Sequence, residues 1–214
     1  MAYHLGMHEP THLLFDGPAS ADDVIVLAHG AGAPMDSVYM DQLAEGLATR
    51  GLRVVRFEFP YMSQRRETGR RRGPNPPRVL EESWKSVVRR LGDPQRLVIG
   101  GKSMGGRIAS MVADELGVRG LACLGYPFHP PGSPDRLRTA HLARLATPAL
   151  IVQGTRDPFG TREEIETYPL SASILFEFLE DGDHSFKPRA RSGRTLAQNL
   201  EQAMDRLAAW VAAL

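Results

Sequence analysis

Ser103, Asp157 and His184 are the residues of this 214-residue chain whose types, order and surroundings suit nucleophilic chemistry. Ser103 lies in VIGGKSMGGR, residues 98–107, a stretch open to two readings. Its GKS looks like the end of a phosphate-cradling loop, with Lys102 for phosphates and Ser103 for magnesium. That loop needs a glycine five residues before Gly101, where Arg96 stands, and LVIG leaves no chain to wrap a phosphate. The dinucleotide pattern fails as well, because GAGAPM at 30–35 ends in methionine. Framed as Gly101-Lys-Ser103-Met-Gly105, the same residues fit a sharp strand-to-helix turn that presents a serine. Glycines at both ends allow the tight turn and the close packing of the helix on its neighbouring strands.

A hydroxyl is a poor nucleophile at neutral pH, so Ser103 needs a base, and the base needs a group to orient it. Asp157 follows the apolar run ALIVQG in TRDPFG, and His184 follows SILFEFL in EDGDHSF. The chain order Ser, Asp, His is the one that goes with a nucleophile elbow. Asp135 is the rival acid, but it follows an earlier strand among prolines. Asp183 shapes the turn before His184. The Met104 and Ala31 amides are the expected oxyanion donors, Ala31 from AHGAGAP and Met104 from the residue after the nucleophile. The Met104 side chain is expected to pack beside the elbow, and Lys102 to face solvent. Each assignment has a plainer counterpart: Asp157 also suits a turn before proline, and His129, in YPFHPPG, reads equally as a pocket wall or a loop histidine.

The elements that must hold these residues are short β-type runs alternating with helical stretches. Strands are expected at 23–30, 52–59, 96–100, 120–126, 149–154 and 173–179. Helices are expected at about 37–50, 79–91, 105–116 and 195–214, from apolar residues at helical spacing. Pro60 ends a strand, and 63–77, SQRRETGRRRGPNPP, reads as an exposed loop whose Arg65, Arg66, Arg70, Arg71 and Arg72 are expected to be solvated, the alternative being that they bind an anionic partner or a substrate carboxylate. Nearly all-apolar strands between helices imply a mostly parallel sheet covered on both faces, a single α/β domain over residues 1–214. Active sites of such sheets lie at the C-terminal ends of the strands, where all three candidates fall.

AHGAGAPMDS, GGKSMGGR, GYPFHPPG, QGTRDPFG and DHSFK together resemble the small α/β-hydrolase-fold proteins related to dienelactone hydrolases. Within them the chain looks closest to a branch of predicted hydrolases with testis-expressed and chromatin-complex relatives. The resemblance spans about residues 28 to 187 and implies the same Ser103–Asp157–His184 triad. Dienelactone hydrolases use a cysteine where Ser103 stands, so their lactone substrate does not carry over. Many relatives insert a cap after the strand at 120–126; here only residues 127–147 are available, which implies an open site without a full cap domain.

A net charge of +1 gives no overall field for nucleic acid or an anionic membrane, and neither partner is expected. No apolar run approaches the roughly 20 residues that span a bilayer, and the N-terminus lacks the pattern of a signal peptide, so a cytoplasmic protein is expected. Cys123, the one cysteine, reads as a buried strand residue. His4, His8 and His12 recur every four residues, but Gly6 and Pro10 break the helix that would align them, and no metal or cofactor is expected. The sequence therefore points to a serine hydrolase that cleaves a small soluble ester or thioester through an acyl-enzyme on Ser103. Tyr61, Tyr126 and His129 are expected at the walls of its site. The alternative is an interaction module that keeps the fold without the chemistry.

Overall fold

A computed structural model describes residues 12–214. The repeat of His4, His8 and His12 lies mostly outside the described residues. Seven strands form one sheet in the order β1-β3-β2-β4-β5-β6-β7. They are β1 (Leu13–Asp16), β2 (Val24–Ala28), β3 (Arg53–Phe57), β4 (Leu97–Lys102), β5 (Gly120–Leu124), β6 (Ala149–Gly154) and β7 (Ile174–Leu179). All neighbours are parallel except β1, which runs antiparallel against β3, Leu13 opposite Phe57. Four residues are too few to show alternation, which is why β1 leaves no signal in the sequence. Strands β4, β5 and β6 are buried at every residue, as a sheet covered on both faces requires.

The helices are α1 (Val38–Thr49), α2 (Pro60–Thr68), α3 (Pro77–Leu91), α4 (Met104–Leu116), α5 (Arg162–Ile165) and α6 (Leu196–Ala212). Each face of the sheet has its own core. One includes Val26, Ile99, Trp84 and Val87 of α3, and Ile108 and Val112 of α4. The other includes Ile25, Val98, Leu43 and Leu47 of α1, and Met204 and Leu207 of α6. Alternate residues of β2 and β4 point into opposite cores, which is the period of a strand.

One expectation fails locally. Residues 63–77 are not all loop: Pro60 opens α2 rather than only ending a strand, and the helix runs to Thr68. Proline suits the first helical position because its missing N–H has no acceptor there, and Gly69 closes the helix at φ +69°. Only Tyr61 and Met62 of α2 are buried, so the helix has no apolar stripe to read. Its Arg66 bridges Asp36 and Glu58, while Arg70, Arg71 and Arg72 are exposed beyond it.

Between β5 and β6 the chain forms a single turn of 3-10 helix at Leu142–Arg144 and no cap domain. Among the described residues no helix is long and apolar enough to cross a membrane.

Candidate active site

The ends of four parallel strands, β2, β4, β6 and β7, meet at one edge, and the candidate residues sit just beyond them. Ser103 follows β4 directly and precedes the first residue of α4. It holds φ +52° and ψ −115°, a backbone region that L-residues rarely occupy. The turn works because Gly105 and Gly106, just beyond it, have no side chains. A Cβ on Gly105 would lie 2.4 Å from the Ala28 carbonyl oxygen, and one on Gly106 would lie 2.6 Å from that of Gly101. Gly106 also leaves room for Cys123, whose fully buried thiol is pushed up by desolvation and donates to the Gly106 carbonyl at 3.5 Å.

Ser103 Oγ lies 2.9 Å from His184 Nε2, and His184 Nδ1 lies 2.8 Å from Asp157 Oδ2. The Asp157 carboxylate accepts the Nδ1 proton, which leaves Nε2 free to accept from the Ser103 hydroxyl. Asp157 is completely buried, and its charge is held by two further donors. Gln153 Nε2 reaches Oδ2 at 2.9 Å and the Phe159 amide reaches Oδ1 at 2.9 Å. Gln153 also accepts from the Tyr126 amide and donates to the Tyr126 and Gly160 carbonyls. The Phe159 ring lies over the imidazole, 4.2 Å between centroids. Sequence reasoning missed both residues. A glutamine ending the all-apolar ALIVQG was the available signal, since a polar side chain buried at a strand end must find partners.

His184 belongs to a turn fixed on three sides. Asp183 Oδ1 accepts from the Ser185 and Lys187 amides, the turn-shaping role expected of it. Asn199 of α6 donates to the Phe186 carbonyl at 2.8 Å. Lys102 does not face solvent as expected; it is buried, and its Nζ donates to the His184 carbonyl at 2.6 Å. The Tyr39 and Phe186 rings lie about 6 Å from the same ammonium. Burial draws the Lys102 value down to about 8, against the opposing pull of Asp157 and Asp183. Gly125 leaves room for this arrangement: a Cβ there would lie 2.8 Å from Nζ and 3.0 Å from the His184 oxygen.

The loop after β2 abuts the elbow, since a Cβ on Gly30 would lie 3.7 Å from that of Ser103. Ala31 is exposed in this loop, and Met104 is the first residue of α4, whose amide has no acceptor within its own helix. His29 anchors the loop. Its Nδ1 donates to the Gly30 carbonyl at 2.7 Å and its Nε2 accepts from the Phe59 amide at 3.1 Å. That pattern requires the neutral ring, and burial lowers its pKa accordingly.

The three expected wall residues are all buried, and each has a polar atom within hydrogen-bonding distance of a main-chain carbonyl. Tyr61 is buried beneath the loop and donates from its hydroxyl to the Ala31 carbonyl at 3.0 Å. Tyr126 is buried and donates to the Arg138 carbonyl at 2.9 Å. His129 is buried too, with Nδ1 on the Pro130 carbonyl at 2.9 Å and Nε2 3.4 Å from Glu164. Asp135, the rival acid, is exposed, and Asp157 occupies the His184 Nδ1 that it would need.

A second serine–histidine contact has the opposite polarity. Ser110, buried inside α4, donates to the Arg107 carbonyl at 2.7 Å, so His141 Nε2, at 2.8 Å, must donate to Ser110. A hydroxyl whose proton is committed to its own helix has no base to activate it.

The profile of the family described as "Alpha/beta hydrolase domain" matches residues 21–212. Among solved structures the chain is similar to an alpha-beta serine hydrolase homologue from Coxiella burnetii. They share 21% identity over 92% of this chain and 89% of that one, with a TM-score of 0.67. A serine hydrolase without a lid from Xanthomonas campestris shares 19% over 92% and 88%, TM-score 0.66. A dienelactone hydrolase from Anabaena variabilis shares 20% over 90% and 88%, TM-score 0.68. These three likenesses speak to the fold.

Proposed function

Starting from a chain that belongs to the alpha/beta hydrolase domain family, we propose that it is a serine hydrolase acting on a small ester or thioester through an acyl-enzyme on Ser103. The observation that carries this reading is the unbroken relay of hydrogen bonds from Ser103 Oγ through His184 to Asp157. The strained backbone at Ser103 supports it, because strain at a non-glycine residue persists where the surroundings enforce a function.

In this reading Ser103 Oγ attacks the carbonyl carbon while its proton passes to His184 Nε2. Asp157 keeps the imidazole in the right tautomer and stabilises the imidazolium. The carbonyl electron pair moves onto oxygen, which the Ala31 and Met104 amides receive; one such donor typically contributes about 3 kcal/mol. Collapse of the tetrahedral adduct breaks the bond to the leaving alcohol or thiol, and His184 returns the proton to it. Water, deprotonated by the same nitrogen, then attacks the acyl-serine; the bond from the acyl carbon to Ser103 Oγ breaks, His184 returns the proton to Oγ, and the acid is released. No cofactor or metal enters these steps. The absence of a cap between β5 and β6 suits a small substrate reaching an open edge.

Turnover of p-nitrophenyl acetate and butyrate tests the proposal. Hydrolysis by the wild type, reduced at least a thousandfold in a folded His184→Ala variant, is expected. Equal turnover by the two proteins would refute it.

A further inference from the structure

Half-buried arginines in this protein are almost all paired. Arg50, Arg119, Arg156 and Arg206 each rest on a carboxylate, Arg194 donates to Asn199 and Gln202, and Arg53 and Arg65 donate to the Gly17 and Gly32 carbonyls. Arg107 and Arg138, both half-buried, have no such partner among the described residues. Arg107 Nε is fully buried without any hydrogen-bond acceptor. A guanidinium that loses water without gaining an anion is costly, and two at one place are costlier.

Arg107 lies beside Ser103. Arg107 is one turn along α4, and its amide donates to the Ser103 carbonyl at 2.9 Å. Side chains of a helix lean toward its N-terminus, so Arg107 leans toward the elbow. Arg138 comes from the segment after β5, fixed by its amide on the Phe128 carbonyl at 2.7 Å and its carbonyl under the Tyr126 hydroxyl. Burial lowers the Arg138 value, and the like charge of Arg107 adds to it. The other titratable groups facing them are His141, which burial and Arg107 hold toward the neutral form, Tyr126, and the exposed Arg136. None of these neutralises the pair.

We infer that Arg107 and Arg138 form an anion subsite beside the nucleophile, and that the substrate is an ester or thioester bearing a carboxylate or phosphate near its reacting carbonyl. This deepens the serine-hydrolase reading and rests on it for the identity of the reacting group. Guanidinium forks match both oxyanions geometrically, and a substrate anion supplies the partner that the fold withholds.

Two matched pairs of esters test it. On the acyl side, p-nitrophenyl hemiglutarate is compared with p-nitrophenyl valerate; on the alcohol side, 4-acetoxybenzoate with its methyl ester. In at least one pair the anionic ester is expected to have a kcat/KM about tenfold higher at low salt, and Arg107→Gln or Arg138→Gln to erase that ratio. A neutral preference in both pairs, or an anionic preference unchanged in both variants, overturns the subsite while leaving the hydrolase standing. Thermal unfolding in sodium glutarate and in sodium phosphate, against chloride at equal ionic strength, reads the subsite without turnover. A rise in Tm for the wild type, absent in folded Arg138→Gln, is expected with one of the two anions. Equal shifts in wild type and variant overturn the inference, even if no ester is hydrolysed.

Discussion

Lys102 Nζ donates to the main-chain oxygen of His184 at 2.6 Å, so the residue before the candidate nucleophile holds the backbone of the candidate base. Two residues 82 positions apart are thereby fixed in one geometry, and the bond is made inside the protein, where it is least screened.

Removing that tether separates activity from stability. Lys102→Met fills similar space without the ammonium, and a drop in kcat of about tenfold is expected, with a smaller change in KM. Stability follows the opposite logic. Because burial draws Lys102 down to about 8 from an unfolded value near 10.5, the unfolded chain holds more protons between those two pH values. The wild type should therefore gain unfolding free energy relative to Lys102→Met as pH rises from 8 to 10.5, on the order of 1–3 kcal/mol. Denaturant melts of both proteins at pH 7.5, 9 and 10.5 check this, and a falling difference would reverse the assignment.

Tyr61→Phe distinguishes a brace from a pocket wall. The hydroxyl holds the Ala31 carbonyl at 3.0 Å and reaches, at 3.5 Å, the Gly30 carbonyl, which shares its peptide plane with the Ala31 amide. Loss of the bond should lower kcat several-fold and leave KM for short esters nearly unchanged, because the ring itself stays packed. A rise in KM at constant kcat would restore Tyr61 to the substrate.

Gly105→Ala should destabilise by about 3 kcal/mol or more, since its Cβ would sit 2.4 Å from a backbone oxygen that cannot move without shifting β2. Gly73→Ala, with nothing within 4 Å of the added carbon, should change stability by less than about 0.5 kcal/mol. Thermal melts of the two variants compare the effects directly.

Much of this was legible in the sequence, for physical reasons that differ from element to element. Strands β4, β5 and β6 are buried on both faces and so read as unbroken apolar runs, and the order Ser103, Asp157, His184 follows from their sequence along the chain. Helix α2 was missed because it buries one turn and exposes the rest. Lys102 was misplaced because a lone lysine is ordinarily solvated, and nothing local announces that a carbonyl 82 residues later will accept from it. Tyr61, Tyr126 and His129 share a feature that sequence does not announce: each is buried with a polar atom against a main-chain carbonyl.

The claim that Ser103 is the nucleophile is tested most directly by fluorophosphonate labelling, read by mass spectrometry of the digested protein. A single phosphonyl adduct on the peptide containing Ser103 is expected, present in the wild type and missing in Ser103→Ala and His184→Ala. A folded wild type that takes no label, or takes it on Ser110 instead, would contradict the account.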